Sequence, residues 1–253
     1  MNSVPARRWE IDCLRGLAVL LMLISNFLFD LVYFAGLAWL QSPALDLFAR
    51  LVAGSFILLA GVSLTLSQAR RHGSAAASPL PAGRQGDFAK VLGRGLTLMG
   101  LGCLVTGATW LAAGEQMVIF GVLHLIGLGL ILAYPFLGRP RLTLTVGCLV
   151  LAASAFTSGL ELDHPWFLWL GLKPHGFSSV DYAPLIPWLG PLLVGLFLGE
   201  RFYPGGQPCR PLPDLSRTWP LPLLSWSGRH SLIIYFVHQP LLLAGLALSR
   251  RWW

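Results

Sequence analysis

Four polar side chains lie inside the first long apolar run of the chain, residues 10–31, "EIDCLRGLAVLLMLISNFLFDL". Successive spacings of three, eleven and four residues separate Asp12, Arg15, Asn26 and Asp30. At about 3.6 residues per turn, these spacings place all four on one broad face of a helix. An ionisable group at membrane depth costs at least ~2.5–3.5 kcal/mol on insertion scales, so it normally faces the protein interior or a water-filled cavity. The pattern therefore indicates a polar face along an otherwise apolar helix.

Two histidines in other apolar runs are candidates for acid–base chemistry. In "SGRHSLIIYFVHQPLL", Ser227, Ser231, Tyr235 and His238 follow one another by four, four and three residues and share a predicted face. A rise of about 1.5 Å per residue puts His238 near mid-membrane and His124, in "GVLHLIG", about 13 Å from the outer end of its span. We expect both to reach the depth of Asn26. The alternative is that each is a neutral, hydrogen-bonded packing residue.

Three arginines lie at the predicted inner ends of spans, each next to a glycine: Arg15, Arg94 and Arg229. Guanidinium groups make strong paired hydrogen bonds to phosphate oxygens, so this placement favours a phosphate-rich ligand. The alternative is that they are orienting charges at the membrane surface.

Composition defines the elements that must position these residues. The chain has 253 residues, of which 55% are hydrophobic and only 11% charged, whereas a soluble domain carries about 25% charged residues. Apolar runs long enough to cross roughly 30 Å of hydrocarbon predict about seven spans. We predict an all-α, polytopic membrane helix bundle forming a single domain over 1–253. The predicted spans lie near 13–35, 45–67, 92–112, 115–136, 142–159, 184–201 and 229–248.

The distribution of Lys and Arg predicts the orientation. With a cytoplasmic N-terminus, all but four of the 18 basic residues fall on the inner side; the four are Arg50, Lys173, Arg250 and Arg251. This positive-inside bias supports an integral protein of the bacterial inner (plasma) membrane. The net charge of +7 is thus assigned to loops rather than to nucleic-acid binding. The four cysteines form no CxxC motif, so neither a disulfide framework nor a metal site is expected.

A polar face crossing the membrane fits two classes of protein. One is a small-solute transporter or a non-catalytic membrane protein with a polar pathway, and the other is an enzyme that uses a donor and an acceptor from opposite sides. Transporters often show inverted repeats, and the sequence shows no such symmetry. The enzyme interpretation explains the inner arginines and the mid-membrane histidines together.

Residues 160–183 form the longest outer loop, whose aromatic content predicts a packed cap.

Five segments spread along the chain resemble one family: "EIDCLRGLAVLLMLISN", "FILLAGVSLTLS", "FGVLHLIGL", "PLIPWLGPLLVG" and "SGRHSLIIYFVHQPLL". They are similar to the catalytic domain of heparan-alpha-glucosaminide N-acetyltransferase and its bacterial relatives. The resemblance implies a membrane-embedded acyltransferase that takes an acetyl group from cytosolic acetyl-CoA, or another acyl-CoA, and passes it to an extracytoplasmic amino sugar or similar acceptor. The active-site histidine of the lysosomal enzyme follows the first span. This chain has no histidine between Tyr33 and Arg50.

Acyl transfer needs a base for the acceptor and hydrogen-bond donors for the oxyanion. We assign the base to His238 or His124, with His175 of the outer loop as an alternative. Asn26 and Tyr235 are the candidate oxyanion donors, and Asp30 is expected to orient a histidine or to bind the acceptor. The CoA phosphates are assigned to Arg15, Arg94 and Arg229. The expected partners are the lipid bilayer, a sugar-like or small-molecule acceptor and, left open, a second copy of the chain in a homodimer.

Overall fold

The computed structural model describes residues 8–72, 85–114, 117–157, 159–162, 164–179, 181–210 and 213–249. These residues form helices without a β-strand among them; an isolated bridge joins Glu161 and Lys173. The helices are α1 (Trp9–Tyr33), α2 (Pro43–His72), α3 (Gln85–Ala113), α4 (Val122–Ala133), α5 (Pro140–Thr157), α6 (Leu185–Phe202), α7 (Leu221–Arg229) and α8 (Ser231–Ser249).

The predicted helical membrane protein is confirmed. Within the described ranges, five helices are long and apolar enough to cross a membrane, namely Trp9–Tyr33, Pro43–Arg71, Asp87–Leu111, Pro140–Thr157 and Leu185–Phe202. Two shorter apolar helical segments, Val122–Phe136 and Ser231–Leu246, overlap the remaining two predicted spans. The number of seven crossings and the cytoplasmic N-terminus stay predictions.

The chain forms two compact units. The central unit contains Ile57–Pro211, and the terminal unit contains Arg7–Phe56 together with Leu212–Trp253. In the central unit, the fully buried Leu192, Leu193 and Leu196 of α6 lie at the centre of the core. Glycines allow the helices to approach closely, as at Gly95 and Gly127, where a Cβ on either residue would crowd the carbonyl oxygen of the other. Small residues at such crossings are typical of helix packing in lipid.

In the terminal unit, α1 packs along α7 and α8. A Cβ on Gly16 would overlap the carbonyl group of Leu224, and a Cβ on Gly228 would overlap the carbonyl group of Asp12. The two glycines therefore bring the backbones of α1 and α7 into contact.

One predicted helix face and one predicted boundary were wrong. The chain leaves helical geometry at His230 (φ −104°, ψ 16°), so α7 and α8 are separate helices. Ser227 lies on α7 and does not continue the face of Ser231, Tyr235 and His238. In addition, α4 begins at Val122 rather than at 115, because the segment before it pairs with a distant loop: Ala183 N–H donates to the carbonyl of Phe120.

Internal contacts hold the described part of the outer loop, although Trp166 is 80% exposed, so the predicted packed cap stays a prediction. The Tyr182 hydroxyl donates to the carbonyl of Leu168 at 2.6 Å, and Lys173 Nζ lies 5.0 Å from the centre of the Tyr182 ring. Burial raises the pKa of Tyr182 to about 12.

Candidate functional site

The terminal unit joins Asn26 of α1 to His238 of α8. Asn26 Nδ2 lies 2.8 Å from His238 Nε2, and His238 Nδ1 lies 2.7 Å from the backbone carbonyl of Tyr235. His238 is 7% exposed. Asn26 and His238 therefore contact each other directly, and their helices pack together along this face.

These two contacts determine the tautomer of a neutral His238. A carbonyl oxygen only accepts hydrogen bonds, so Nδ1 carries the proton and donates to Tyr235. The lone pair of a neutral imidazole is then on Nε2, where the Asn26 amide N–H donates to it. The ring is thus held with its basic nitrogen on the side of α1.

One turn beyond Asn26, Asp30 is fully buried and accepts a hydrogen bond from Gln239 Nε2 at 2.8 Å. Asp30 Oδ2 has no hydrogen-bond partner among the described residues. Asp30 is thus hydrogen-bonded to Gln239 and lies within electrostatic range of His238. Gln239 was missed by sequence reasoning, although its place beside His238 and before Pro240 was a usable signal.

Tyr235 contributes its backbone carbonyl to this cluster, and its ring centre lies 5.8 Å from that of His238. The ring is half-buried. The predicted role of the Tyr235 hydroxyl as an oxyanion donor stays a prediction.

At the N-terminal end of α1, a cavity of about 230 Å³ opens between α1 and the α7 segment. Its lining is Trp9, Asp12, Ser216, Pro222, Ser225 and Arg229. Asp12 and Ser225 are buried, whereas Arg229 is exposed. The cavity thus offers one exposed guanidinium group and a buried carboxylate.

Arg15 lies beside this cavity but is engaged within the protein. Its Nη1 donates to Asp12 Oδ1 at 3.2 Å and lies 3.5 Å from the carbonyl oxygen of Gly228. Because its charge is partly neutralised by Asp12, Arg15 is less suited than Arg229 to bind a phosphate.

Arg94 belongs to the central unit and is exposed on α3. It lies within electrostatic range of Arg70 and Arg71 at the end of α2. The sequence alone does not connect these residues, because they lie on different helices. Arg94 is thus part of a basic cluster, while common binding of one ligand by Arg94, Arg15 and Arg229 stays a prediction.

His124 lies in the first turn of α4, also in the central unit, and is 7% exposed. It packs against Gly102 of α3, eleven residues before the end of that helix, or about 16 Å along its axis. The Phe120 ring stacks on the imidazole with centres 5.5 Å apart. Its Nε2 lies 3.7 Å from Cys103 Sγ. The predicted shared depth of His124, His238 and Asn26 stays a prediction, because His124 and the other two are in different units.

Beside His124, the Asp181 carboxylate accepts the backbone N–H of Val122 at 3.2 Å and caps the start of α4. Burial raises the pKa of Asp181, and the hydrogen bond from Val122 opposes this rise. The remaining candidate base, His175, is exposed and pairs with Glu161 at 2.6 Å. Over the part of the chain that the structure describes, no group of three or more His, Cys, Asp or Glu side chains could hold a metal ion.

The sequence of the chain matches one known protein family. The family model described as heparan-alpha-glucosaminide N-acetyltransferase, catalytic, matches residues 7–240 of the 253. The matched range includes Asn26, His238, His124 and the three candidate arginines. The comparisons with curated proteins and with solved structures gave no match.

Proposed function

The chain belongs to the heparan-alpha-glucosaminide N-acetyltransferase catalytic family, and from this membership we propose that it is a membrane-embedded acetyltransferase with His238 as the base. The family suggests a membrane acetyltransferase-like role in general. The donor in our proposal is cytosolic acetyl-CoA or another acyl-CoA. The acceptor is an extracytoplasmic sugar or a similar small molecule, and the membrane is the inner membrane of a bacterium.

The observation that carries this proposal is the sequence of contacts from Asn26 Nδ2 to His238 Nε2 and from His238 Nδ1 to the carbonyl of Tyr235. A general base must present a lone pair, with its nitrogen or oxygen within about 2.6–3.2 Å of the heavy atom that gives up the proton. His238 presents Nε2 toward α1 in the required tautomer. The carbonyl of Tyr235 stabilises the imidazolium that forms, because the Nδ1–H remains hydrogen-bonded throughout.

The reaction proceeds by two proton transfers and one acyl exchange. An acceptor hydroxyl or amine displaces the Asn26 amide from Nε2 and gives its proton to His238. The acceptor oxygen or nitrogen then attacks the thioester carbonyl, and the C–S bond to CoA breaks. The imidazolium returns the proton to the CoA thiolate. The displaced Asn26 amide donates to the oxyanion of the tetrahedral intermediate, as such donors do in acyl transfer.

Asp30 supplies an acceptor-binding group next to this base. One of its oxygens is held by Gln239, and Oδ2 has no partner in the described part of the chain. A buried carboxylate oxygen in this position accepts hydrogen bonds from an ammonium group or a hydroxyl of the acceptor. We assign acceptor positioning to Asp30 and the CoA phosphates to the exposed Arg229, with Arg15 in a supporting position.

The test is acetyl transfer by the full chain purified into lipid nanodiscs, with radiolabelled acetyl-CoA and a panel of amino sugars and neutral sugars. We expect His238→Ala to lower transfer by about 100-fold or more, and His164→Ala, a change of an exposed loop histidine, to leave it unchanged. Transfer that survives His238→Ala at the wild-type rate contradicts the assignment of the base. Lack of acetyl-CoA binding, combined with solute counterflow in liposomes, contradicts the enzyme and supports a transporter.

A further inference from the structure

A thiol and an imidazole lie together in the central unit, apart from the contacts of His238. Cys103 Sγ is 3.7 Å from His124 Nε2, within the range of a hydrogen bond to sulfur. Cys103 is exposed, whereas His124 is buried, with 7% of its surface exposed. Neither the sequence motifs nor the proposed mechanism uses Cys103.

The local backbone brings these two groups together. Gly102 precedes Cys103 on α3, and a Cβ at this position would lie 2.8 Å from the imidazole of His124. The missing side chain lets the imidazole approach α3 closely and reach the neighbouring sulfur. On its other side the ring is stacked by Phe120, which limits its rotation.

The hydrogen bonds of His124 leave it able to act as a base toward the thiol. Its Nδ1 is buried and has no hydrogen-bond partner among the described residues. A neutral ring with its proton on Nδ1 has its lone pair on Nε2, which is the atom that faces Cys103. A thiol becomes a nucleophile when a neighbouring histidine takes its proton.

We propose that Cys103 accepts an acyl group as a thioester, with His124 as the base that activates it; this rests on the acyl-CoA donor of the proposed function. His124 Nε2 takes the proton of the Cys103 thiol, and the thiolate attacks the carbonyl of acetyl-CoA. The C–S bond to CoA breaks, a C–S bond to Cys103 forms, and the proton passes from His124 to the departing CoA thiolate. One thioester replaces another, so no oxidant or further reactant is needed.

The experiment uses the purified full chain, radiolabelled acetyl-CoA and no acceptor, followed by acid quenching, digestion and identification of the labelled peptide. We expect label on the peptide that contains Cys103, released by neutral hydroxylamine as thioesters are. Cys103→Ala removes it, and His124→Gln lowers its rate of appearance by about 100-fold. Cys148→Ala is the matched control, because Cys148 is also exposed, lies on α5 of the same unit and has no histidine as a hydrogen-bond partner in the described structure.

A second arm tests the activated thiol without any acyl donor. Iodoacetamide is expected to alkylate Cys103 faster than Cys148 at neutral pH, with the difference lost in His124→Gln. If Cys103 stays unlabelled by acetyl-CoA, the inference is overturned, and acetylation of a sugar acceptor in a parallel sample shows whether the proposed function also fails. Equal alkylation rates for Cys103 and Cys148 overturn the role of His124.

Discussion

Asn26 donates its amide N–H toward His238 Nε2 across 2.8 Å, although 212 residues separate the two in the chain. The opposite ring nitrogen donates to the Tyr235 carbonyl at 2.7 Å. Each contact alone leaves the imidazole free to tilt or to change its tautomer. Together they hold the ring and its basic nitrogen in one orientation, so Asn26 and His238 are expected to work as one catalytic unit.

We predict that Asn26→Ala and His238→Ala are strongly non-additive. Each is expected to lower acetyl transfer by about 100-fold or more, and the double variant by little more than the His238 change alone, because residues that act as a unit lose their function together. Single-turnover rates of the three variants measure this. Asn26→Ala combined with Arg229→Ala is the control pair and should show multiplied effects. Multiplied effects for Asn26 and His238 would contradict their joint action.

The pair of Asp30 and Gln239 leads to a prediction about stability. Gln239→Leu removes the donor of the buried Asp30 carboxylate and is expected to cost about 1–3 kcal/mol, seen as a lower Tm in detergent. Gln41→Leu is the matched control, because Gln41 donates to Asp46 at the same distance of 2.8 Å but in an exposed position. Its cost is expected to stay under about 1 kcal/mol, as for exposed pairs. Equal losses in both variants would show that burial of Asp30 is unimportant.

The membrane explains why so much of the fold was predictable. Backbone groups in hydrocarbon must be satisfied within the segment, so long apolar runs become helices. Polar groups in those runs turn away from lipid, so Asn26 and Asp30 could be assigned to one face before their partners were known. Both side chains contact α8 in the structure.

The parts of the fold and of the candidate site that the sequence does not predict depend on contacts between segments distant in sequence. The start of α4 is determined by pairing of its preceding segment with residues near Ala183, so no count along the chain could place His124 beside Cys103. Gln239 is an uncharged residue in an apolar run, and its importance appears only when α1 brings Asp30 to it. The break at His230 lacks a proline or glycine at the residue itself, so the spacing of Ser227 and Ser231 predicts one shared face where the structure has two helices.

Close packing of α1 on α7 predicts that Gly16→Ala and Gly228→Ala are destabilising. Each new methyl group meets the backbone of the facing helix, which has no flexible atoms to yield. Overpacking of this kind costs about 1–3 kcal/mol, to be measured as a lower Tm. The controls are Gly93→Ala and Gly100→Ala on α3, where a Cβ meets open space. There the change from glycine inside a helix is expected to be neutral or to stabilise by about 0.5–1 kcal/mol. A loss of stability confined to the α3 variants would contradict the packing argument.

Tyr182 predicts a dependence of stability on alkaline pH. Burial raises its pKa in the folded protein from 10.0 to about 12, so the folded state favours the neutral phenol. The contribution of this pKa difference to the free energy of unfolding is fully present below about pH 10 and is lost as the pH rises through about 12. Tyr182→Phe is expected to cost about 1 kcal/mol at neutral pH through the lost bond to Leu168 and to flatten the decline of Tm between pH 10 and 12. Tyr33→Phe, at a half-exposed site, is the control. An unchanged decline in Tyr182→Phe would show that another group causes it.

The arginines of the terminal unit are predicted to separate in their effects, although they lie beside one cavity. Arg229 is exposed, so Arg229→Ala should raise KM for acetyl-CoA about tenfold through loss of a charge-assisted hydrogen bond to phosphate, with kcat unchanged. Arg15 instead neutralises the buried Asp12, so Arg15→Ala should lower Tm more than Arg229→Ala does. Arg210→Ala, at an exposed loop position, controls for the loss of one positive charge. An equal rise in KM for Arg210→Ala and Arg229→Ala would mean that overall charge, rather than the cavity, attracts the donor.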